Sequence, residues 1–545
     1  MGRKERIQKM DKEERRLAKR AQKLHKKEAK ARTEKRGANS TSILRLVIVG
    51  ITILIQIAVI IVLVLFVDNA FTIAYIIFRI FGIFIVLSLF GRDWNSAFKL
   101  PWIMFILNDP VVGLALYLML GRRGTVGKKT KKRYALIREK IFKNYPQNEH
   151  ILLKYKEKYP ELYHQLYYLS NTGKYPCYQN TDVKYYSEGK YGLDAQIEEL
   201  KKAEKFIFFE YHAIENQESF ERIKKVLFEK AAQGVEVRVF YDDMGSIGFV
   251  NHKFKKEMIE HGVQCRVFNP LTPLMVFFMN NRDHRKITVI DGKVGFTGGY
   301  NMADEYFDVI HPFGEWKDTG IRLEGDAVNS LTLIFLENWN GIKDTDSEED
   351  IKKYIVEYSY KAVESDSVIL PYADGPVVSE PVAETAYLNL IRDAKHYVCI
   401  TTPYLLVTDE MIRELTDAVK RGIDVRIITP GIPDKKIVYR MTRSYYIPLI
   451  KAGVKIYEYK PGFVHSKMIV VDDYMAVVGT INFDYRSLYH HFENACFFSG
   501  YECVKEIRED FNEMFKKSRN VREKYIDKKH LSFIDTILRL FAPLM

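Results

Sequence analysis

The most informative stretch of this chain is His284-Arg-Lys-Ile-Thr-Val-Ile-Asp291, because a stretch of the same form, His465-Ser-Lys-Met-Ile-Val-Val-Asp472, follows it 181 positions later. Both belong to a longer pattern, H-x-K-x4-D-x6-G-x2-N. From the composition of the chain, five fixed residues at this spacing are expected on the order of 10⁻⁴ times by chance, so two copies indicate a duplicated unit. The fixed positions are His284, Lys286, Asp291, Gly298 and Asn301 in the first copy and His465, Lys467, Asp472, Gly479 and Asn482 in the second.

Each copy of the pattern predicts a strand followed by a hairpin. The stretch after His284 is short and rich in β-branched residues, which favour strands. Because side chains alternate along a strand, His284 and Lys286 are expected on one face. Asp291 and the glycine after it would form a turn, and residues 294–301 would return as the next strand. Asp291 and Asp472 would then lie at strand ends, off the His/Lys face. We interpret both as orienting or structural carboxylates rather than as proton donors.

The residues around the two copies repeat one order of strand-like and helix-like patterns. Residues 207–211 and 398–404 are typical of buried opening strands, and the helix after each ends at a glycine, Gly234 or Gly422. We therefore predict an α/β fold of two halves packed around a shared active site. The expected boundaries are 196–340 for the first half, 341–374 for a charged linker and 375–520 for the second half.

The residue types in the pattern suit transfer chemistry on a phosphodiester. Two copies brought together would contribute two imidazoles, two ammonium groups and the amides of Asn301 and Asn482. The lysines and amides would bind the nonbridging phosphate oxygens. One histidine would attack phosphorus while the other protonates the leaving alcohol, and the glycines would let the backbone approach the ligand closely. The pattern lacks the carboxylate cluster of a two-metal site, so we predict neither a metal nor another cofactor.

Charge and cysteine content limit the function classes further. Residues 1–40 contain sixteen Lys/Arg and six Asp/Glu, so most of the formal net charge of +13 lies in this tail and the remainder is nearly neutral. The tail, residues 1–45, is either a solvated charged segment or a segment attracted to anionic lipid head groups, at ~1 kcal/mol per basic residue. Five scattered cysteines without C-x-x-C spacing predict free thiols in a reducing compartment.

Residues 46–120 predict a membrane segment. The segment Leu46–Val67 has only a threonine and a glutamine as polar side chains. It is long enough to span a bilayer. A second apolar run, Phe71–Phe90, is interrupted by Arg79, and a third, Leu100–Leu120, contains Asp109 before a proline. Basic residues on both flanks favour an even number of spans. We therefore interpret the first two runs as spans and the third as re-entrant or interfacial. Asp109 either breaks the helix, the interpretation we favour, or faces a polar lipid path.

Two further segments flank the predicted halves. Residues 121–195, rich in Lys and Tyr, predict a helical connector. Residues 521–545 predict an amphipathic C-terminal helix, because apolar residues recur there at helical spacing. Such a face either packs on the core of the protein or lies in the membrane interface, which the preceding lysines favour. The apolar positions are Leu531, Ile534, Leu538, Phe541 and Met545, with Ile537 and Leu544 beside them.

At these residues the chain resembles the phospholipase D superfamily and, within it, bacterial cardiolipin synthases. The resemblance extends from Leu46 to the C-terminus, with only the basic tail outside it. Its motif is highly specific for the superfamily and less so for the synthases. The stretches that carry it are Phe-Met-Asn-Asn-Arg-Asp-His284-Arg-Lys286, Gly-Phe-Thr-Gly-Gly-Tyr-Asn301, Gly-Phe-Val-His465-Ser-Lys467 and Gly-Thr-Ile-Asn482-Phe-Asp-Tyr-Arg-Ser.

The resemblance implies a role for each histidine. His284 would be the nucleophile that forms a phosphohistidine intermediate, and His465 would be the general acid. It also implies that each histidine is oriented by a carboxylate from the opposite half. By position, Asp318 would orient His465 and Glu493 would orient His284.

The function implied by the resemblance is transphosphatidylation, in which two phosphatidylglycerol molecules give cardiolipin and glycerol. The expected partners are phosphatidylglycerol, other anionic lipids and the membrane, but not nucleic acid. The expected location is the bacterial cell membrane, as a multi-pass protein with both halves on the cytoplasmic side. One alternative is hydrolysis by a membrane phospholipase D. A nuclease on the same fold is disfavoured by the nearly neutral halves and the membrane segment, and a structural membrane protein would leave the duplicated motif unexplained.

Overall fold

The structure is a computed structural model that describes residues 72–120, 127–146, 148–250, 252–270, 280–343, 350–356, 360–363, 366–528 and 530–544, with isolated positions between 47 and 62. The predicted basic tail and most of the predicted first span, Leu46–Val67, lie outside these residues.

The N-terminal apolar residues form helices α1 (Thr72–Phe90), α2 (Ser96–Asn108) and α3 (Pro110–Leu120). The helices share a small apolar core that includes Trp102. Asp109 ends α2 and begins α3, because its Oδ1 accepts hydrogen bonds from the backbone N–H groups of Val111 at 3.0 Å and Val112 at 2.9 Å. The turn interpretation of Asp109 is therefore confirmed. No helix within the described ranges is both long and apolar enough to cross a membrane.

A helical connector follows the apolar helices and packs against the rest of the protein. It consists of α4 (Lys128–Phe142), α5 (Glu149–Lys158), α6 (Pro160–Tyr167) and a π-helical turn, Tyr168–Thr172. Arg138 of α4 is half-buried, and its guanidinium lies 2.6 Å from the Glu337 carboxylate of the first half. This ion pair fixes the connector to the first half.

The first half is a seven-stranded sheet with helices on its faces, in the strand order β1-β8-β6-β5-β2-β3-β4. Its strands are β1 (Thr181–Tyr186), β2 (Phe206–Tyr211), β3 (Glu236–Asp242), β4 (Gln264–Phe268), β5 (Lys286–Ile290), β6 (Val294–Gly298) and β8 (Gly320–Gly325), and β7 (Glu315–Lys317) lies outside the sheet. Its helices are α7 (Gly189–Leu200), α8 (Glu218–Ala232), α9 (His252–Glu260) and α10 (Val328–Gly341), with a 3-10 turn at Asp304–Phe307.

The second half is an eight-stranded sheet in the order β17-β12-β11-β10-β14-β15-β16-β9. Its strands are β9 (Val368–Asp374), β10 (Tyr397–Thr401), β11 (Asp424–Pro430), β12 (Lys455–Tyr459), β14 (Met468–Val471), β15 (Met475–Gly479), β16 (Glu493–Ser499) and β17 (Ser518–Asn520), with β13 (Gly462–Val464) outside it. Its helices are α11 (Val382–Asp393), α12 (Asp409–Lys420), α13 (Lys436–Ala452), α14 (Tyr485–Tyr489), α15 (Cys503–Lys517), α16 (Arg522–Tyr525) and α17 (Phe533–Leu540).

Seven strands of each sheet share one topology, which confirms the duplication, and β17 is an additional edge strand of the second sheet. Strands β2, β3 and β4 run parallel, and β5 and β6 form an antiparallel hairpin beside β2; the second half repeats this with β10, β11, β12 and the β14–β15 hairpin. The helix-ending glycines adopt left-handed backbone conformations, with φ of +90° at Gly234 and +91° at Gly422. Both sites use glycine because a side chain is strained there.

Two predicted boundaries need correction. The connector does not extend to residue 195, because β1 pairs antiparallel with β8 at the edge of the first sheet, with Thr181 opposite Gly325. The linker does not extend to residue 374, because β9 pairs with β16 at the edge of the second sheet. Strand β1 is polar and partly exposed, so its composition resembles that of a connector, whereas β9 is apolar and buried but follows a charged stretch that was extended over it.

The halves contact each other along their histidine-bearing ends. Strand β13 of the second half pairs in parallel with β7 of the first, with Gly462 opposite Glu315. The backbone N–H of His284 donates to Phe492 O at 2.8 Å, and that of His465 donates to Lys317 O at 2.8 Å. These reciprocal bonds place the two copies of the motif side by side.

The C-terminal segment differs from the single helix predicted for residues 521–545. It is divided into α16, α17 and a 3-10 turn, Ala542–Leu544. The apolar face also differs, because Leu531 and Leu538 pack against the core, whereas Phe533, Ile534 and Ile537 are exposed. Met545 lies outside the described residues.

Candidate active site

His284 is held at the entrance to β5 by groups from the opposite half. The predicted strand starts at His284, but the observed strand begins two residues later, because the backbone of His284 bonds to Phe492 of the second half. Its Nδ1 lies 2.8 Å from Oε1 and 2.9 Å from Oε2 of Glu493. Histidine and carboxylate are buried. This contact leaves Nε2 of His284 as the nitrogen available for chemistry.

His465 occupies the equivalent position in the second half. Its Nδ1 lies 2.6 Å from Oδ2 of Asp318, which the first half supplies. The structure therefore brings together both histidine–carboxylate pairs that the resemblance implied, and each pair crosses between the halves. Neither half alone contains a complete pair.

The two lysines of the motif are buried beside the histidines. Lys286 Nζ donates to the backbone oxygen of His284 at 2.7 Å, and Lys467 Nζ donates to that of His465. Burial lowers the pKa of Lys286 to about 8 and that of Lys467 to about 7, although nearby carboxylates, including Glu493 and Asp318, favour the charged form. An arriving phosphate would oppose this effect of burial by stabilising both ammonium groups.

Burial also affects the protonation of the histidine pairs. It lowers the pKa of His465 to about 4 and that of His284 well below its ordinary value, and the neighbouring lysines act in the same direction. Burial raises the pKa of Glu493, whereas the ammonium group of Lys286 lowers it. Both imidazoles are therefore neutral near pH 7, and each can present a lone pair at one ring nitrogen.

The motif asparagines line the cleft, but the motif glycines have another role than predicted. Asn301 donates to the Tyr306 hydroxyl at 2.8 Å, and Asn482 lines the cavity between the halves. A Cβ at Gly298 would lie 2.4 Å from Thr319 O, and a Cβ at Gly479 would lie 2.5 Å from a backbone atom of the neighbouring strand. The glycines therefore permit close approach of a strand rather than of a ligand.

The two motif aspartates are not in the cleft. Asp291 follows β5 while His284 precedes it, so they lie at opposite ends of the strand, roughly 20 Å apart. Asp291 accepts hydrogen bonds from the backbone N–H groups of residues 204, 205 and 206 at 2.7–2.9 Å, and Asp472 accepts those of residues 395, 396 and 397. Both are structural, and neither belongs among the candidate catalytic residues.

A cavity of about 350 Å³ lies between the two histidines, and its two sides differ. On the side of His465, ring centroids of Tyr306 and Trp316 lie 5.2 and 5.6 Å from the imidazole. On the side of His284, the neighbours are the imidazoles of His212 at 5.0 Å and His491 at 5.4 Å. Our sequence analysis missed His212 and His491, although His491 lies two residues before Glu493.

The comparisons with known proteins agree with this geometry. Residues 196–311 and 387–515 match the family described as cardiolipin synthase, PLD-like domain. An uncharacterized protein of Streptococcus mutans is 39% identical over 84% of this chain and 99% of its own length. A cardiolipin synthase of Alkalihalophilus pseudofirmus is 32% identical over 86% of this chain and 93% of its own length.

A solved structure supports the fold independently. The phosphatidylserine synthase of Haemophilus influenzae matches 70% of this chain and 98% of its own, with a TM-score of 0.53 and 13% identity. At that identity the match concerns the fold alone, which is the arrangement of two halves described above. Together with the identity to the cardiolipin synthase and the paired histidines, it leads to one assignment: the chain belongs to the cardiolipin synthase family, of the phospholipase D type.

Proposed function

We propose that this protein is a phosphatidyltransferase that converts two phosphatidylglycerol molecules into cardiolipin and glycerol. The observation that carries the proposal is the pair of buried histidines, each held through Nδ1 by a carboxylate of the opposite half. Two such histidines on either side of one phosphate can act in turn as nucleophile and as proton donor.

In the first step, Nε2 of His284 attacks the phosphorus of one phosphatidylglycerol. The bond from phosphorus to the glycerol oxygen breaks, and His465 donates a proton to that oxygen, so that glycerol leaves. The phosphatidyl group is then bound to Nε2 of His284. The bound phosphate raises the proton affinity of His465, whose pKa in the free protein is lowered to about 4.

In the second step, a second phosphatidylglycerol occupies the place of the glycerol. Its terminal hydroxyl transfers a proton to His465, and its oxygen attacks phosphorus. The bond between phosphorus and His284 breaks, which releases cardiolipin. Lys286 and Lys467 would stabilise the charge on the nonbridging oxygens in both transition states, with the amides of the motif asparagines as further donors.

The surroundings of His465 favour an alcohol over water as acceptor. Transfer requires that the second lipid reach the intermediate before water does, and Tyr306, Trp316 and Phe463 surround His465 with aromatic rings at 5.2–6.0 Å. Such a wall excludes water and accommodates the carbon skeleton of a glycerol head group. Hydrolysis by the same intermediate is the alternative function.

The exposed apolar helices support a place at the membrane. Large apolar side chains remain exposed on α1 and α2. Phe98 of α2 packs against Tyr485 and Tyr489 of α14, so these helices contact the second half. We include in the proposal a multi-pass protein of the bacterial cell membrane, with both halves cytoplasmic. That topology rests on the sequence of residues 46–90 and on its basic flanks. The exposed side chains include Ile77, Phe84, Leu87, Phe90, Leu100, Met104 and Leu107.

A product analysis tests the proposal. Purified full-length protein is incubated with phosphatidylglycerol labelled in the head-group glycerol, in vesicles, and the lipids are separated by mass. We expect cardiolipin and free labelled glycerol in equal amounts. Phosphatidic acid as the main product would establish the hydrolase instead. Nuclease activity on single-stranded DNA serves as a third measurement, and DNA cleavage without lipid turnover would overturn both lipid functions.

A further inference from the structure

His491 is a buried imidazole that the proposed reaction does not use. It is 8% exposed and lines the cavity beside His284, and among the described residues neither of its ring nitrogens has a hydrogen-bond partner. A buried polar group without a partner is costly, so its retention in a cavity points to a ligand.

The nitrogens of two imidazoles converge on one carboxylate oxygen. Oε1 of Glu493 lies 2.8 Å from His284 Nδ1 and 3.6 Å from His491 Nδ1, and one ligand atom from each of the three residues lies within 4.8 Å of the others. Bonds of roughly 2.0–2.1 Å to a tetrahedral zinc ion place its ligand atoms roughly 3.3 Å apart. The observed separations bracket that value, so small side-chain rotations complete the site.

We infer that His284, His491 and Glu493 form an inhibitory site for Zn²⁺ or a similar transition-metal cation. Two imidazoles with one carboxylate suit such ions and not Mg²⁺ or Ca²⁺, which prefer oxygen ligands. The fourth position would hold water. The inhibition, though not the binding, rests on the proposed function.

The charges around this site act in both directions. The carboxylate of Glu493 supplies the negative charge that a cation requires, and Nδ1 of His284, which contacts that carboxylate in the free protein, would bind the metal instead. The ammonium groups of Lys286 and Lys467 and the guanidinium groups of Arg282 and Arg486 oppose a cation and so limit its affinity. A metal on Nδ1 places the ring proton of His284 on Nε2, which removes the lone pair that attacks phosphorus.

The duplication provides an internal comparison. The residue two positions before the orienting carboxylate is His491 in the second half and Trp316 in the first. The His465–Asp318 pair therefore lies beside an indole, which is not a metal ligand. Within the described residues the set of His284, His491 and Glu493 has no counterpart around His465. One metal ion per chain is the expected stoichiometry.

Binding is tested with Co²⁺, which occupies zinc sites and absorbs visible light. Titration of the purified full-length protein should give the intense bands of tetrahedral Co²⁺, saturating at one ion per chain and abolished by Zn²⁺. His491→Asn should lose these bands, with affinity lower by about 100-fold. The control His311→Asn, which changes an exposed histidine 3.4 Å from Asp308, should keep them. If the Asn variant does not fold, His491→Gln replaces it.

Equal Co²⁺ spectra for His491→Asn and the unchanged protein would overturn the inference, as would only weak octahedral bands. In the transfer assay, Zn²⁺ should inhibit the unchanged protein, a chelator should restore it, and His491→Asn should resist Zn²⁺ by about 100-fold. The Co²⁺ spectrum requires no lipid. Tetrahedral binding without cardiolipin formation would therefore contradict the proposed function and leave the metal site established.

Discussion

At the scale of single residues, the two histidines of the cleft share a motif but not their surroundings. His284 is bound by both oxygens of Glu493, whereas His465 is bound by one oxygen of Asp318 and enclosed by aromatic rings. A nucleophile requires a neutral ring with a fixed tautomer, and a general acid requires a proton that it can release to an alcohol. The proposed division of roles can be tested because these requirements differ.

Replacement of the histidines should separate nucleophile from acid. His284→Ala should abolish transfer and hydrolysis of every substrate, because no covalent intermediate can form. His465→Ala should lose turnover of phosphatidylglycerol but retain attack on a phosphodiester with a nitrophenol leaving group, which departs without protonation. The measurement is the rate of nitrophenol release, with His311→Ala as the control. Equal residual rates for the two cleft variants would contradict the assigned roles.

Loss of a motif lysine should reduce the rate and alter its pH dependence. Lys467→Ala should lower kcat/KM, because the activation free energy should rise by on the order of 3 kcal/mol, the value typical of a lost transition-state donor. In the unchanged protein kcat/KM should fall as pH rises through 7 to 8, because Lys467 and Lys286, with pKa values of about 7 and 8, lose the positive charge that binds phosphate. Lys420→Ala, at an exposed position, is the control. A rate that rises steadily to pH 9 would refute the phosphate-binding role.

At the scale of secondary-structure elements, each motif hairpin is fastened to its sheet by an aspartate. Asp291 and Asp472 adopt left-handed conformations, with φ of +53° and +54°, and each accepts three backbone N–H groups at the start of the neighbouring strand. The aspartates therefore belong to the motif because they hold the turn of the hairpin against the neighbouring strand.

Removal of one of these carboxylates should therefore affect stability more than chemistry. Asp291→Ala leaves three donors unpaired and should lower the free energy of unfolding by about 1–3 kcal/mol. Its kcat, measured on the folded fraction, should change by less than an order of magnitude. Urea unfolding followed by circular dichroism gives the first quantity, with Asp308→Ala, at another left-handed position, as the control. A large loss of kcat at unchanged stability would instead indicate a catalytic role for Asp291.

The two faces of the C-terminal helix α17 should respond differently to a charge. Phe533 and Ile534 are exposed, by 79% and 54%, whereas Leu538 packs against the core. Phe533→Asp with Ile534→Asp should reduce activity on vesicles and leave the melting temperature unchanged, because an interfacial helix loses its apolar contact. The matched variant Leu538→Asp should lower the melting temperature instead. Full activity of the double variant on vesicles would remove α17 from the membrane contact.

At the scale of the whole molecule, the two halves form one internally duplicated unit with a single site. Each histidine takes its carboxylate from the other half, and strands β7 and β13 join the halves beside the cleft. The site therefore depends on the packing of the halves, and a separate half would lack a complete pair.

A mixing experiment tests whether the site forms within one chain. An equimolar mixture of His284→Ala and His465→Ala proteins should remain inactive on phosphatidylglycerol, since every chain lacks one of the two histidines. The amount of cardiolipin formed is compared with that of the unchanged protein diluted twofold into His284→Ala protein. Recovery of transfer after mixing would mean that the halves of different chains combine, contrary to this prediction.

The amino-acid sequence by itself determined the α/β class, the duplication and the identity of His284, Lys286, His465 and Lys467, because strand periodicity and fixed spacing are local properties. It also indicated Asp318 and Glu493, but only through a resemblance. The carboxylates lie 147 and 209 positions from the histidines they contact, and only packing of the halves brings them together.

Other features were decided by the tertiary structure alone. Strand β1 was missed because it is partly exposed and lacks a continuous apolar pattern. Strand β9 is buried throughout and was missed because the charged residues before it dominate the composition of residues 341–374. The motif glycines were predicted to let a ligand approach, but a neighbouring strand approaches them instead, and strand pairing is not visible in the sequence. The structural interpretation of the motif aspartates agrees with their backbone hydrogen bonds. His491 had no motif to mark it, and its position 3.6 Å from Glu493 arises from the same packing. The histidines and lysines of the motif could therefore be predicted from the sequence, because their spacing is local. The surroundings of each histidine could not, because they are formed by contacts between residues distant in the chain.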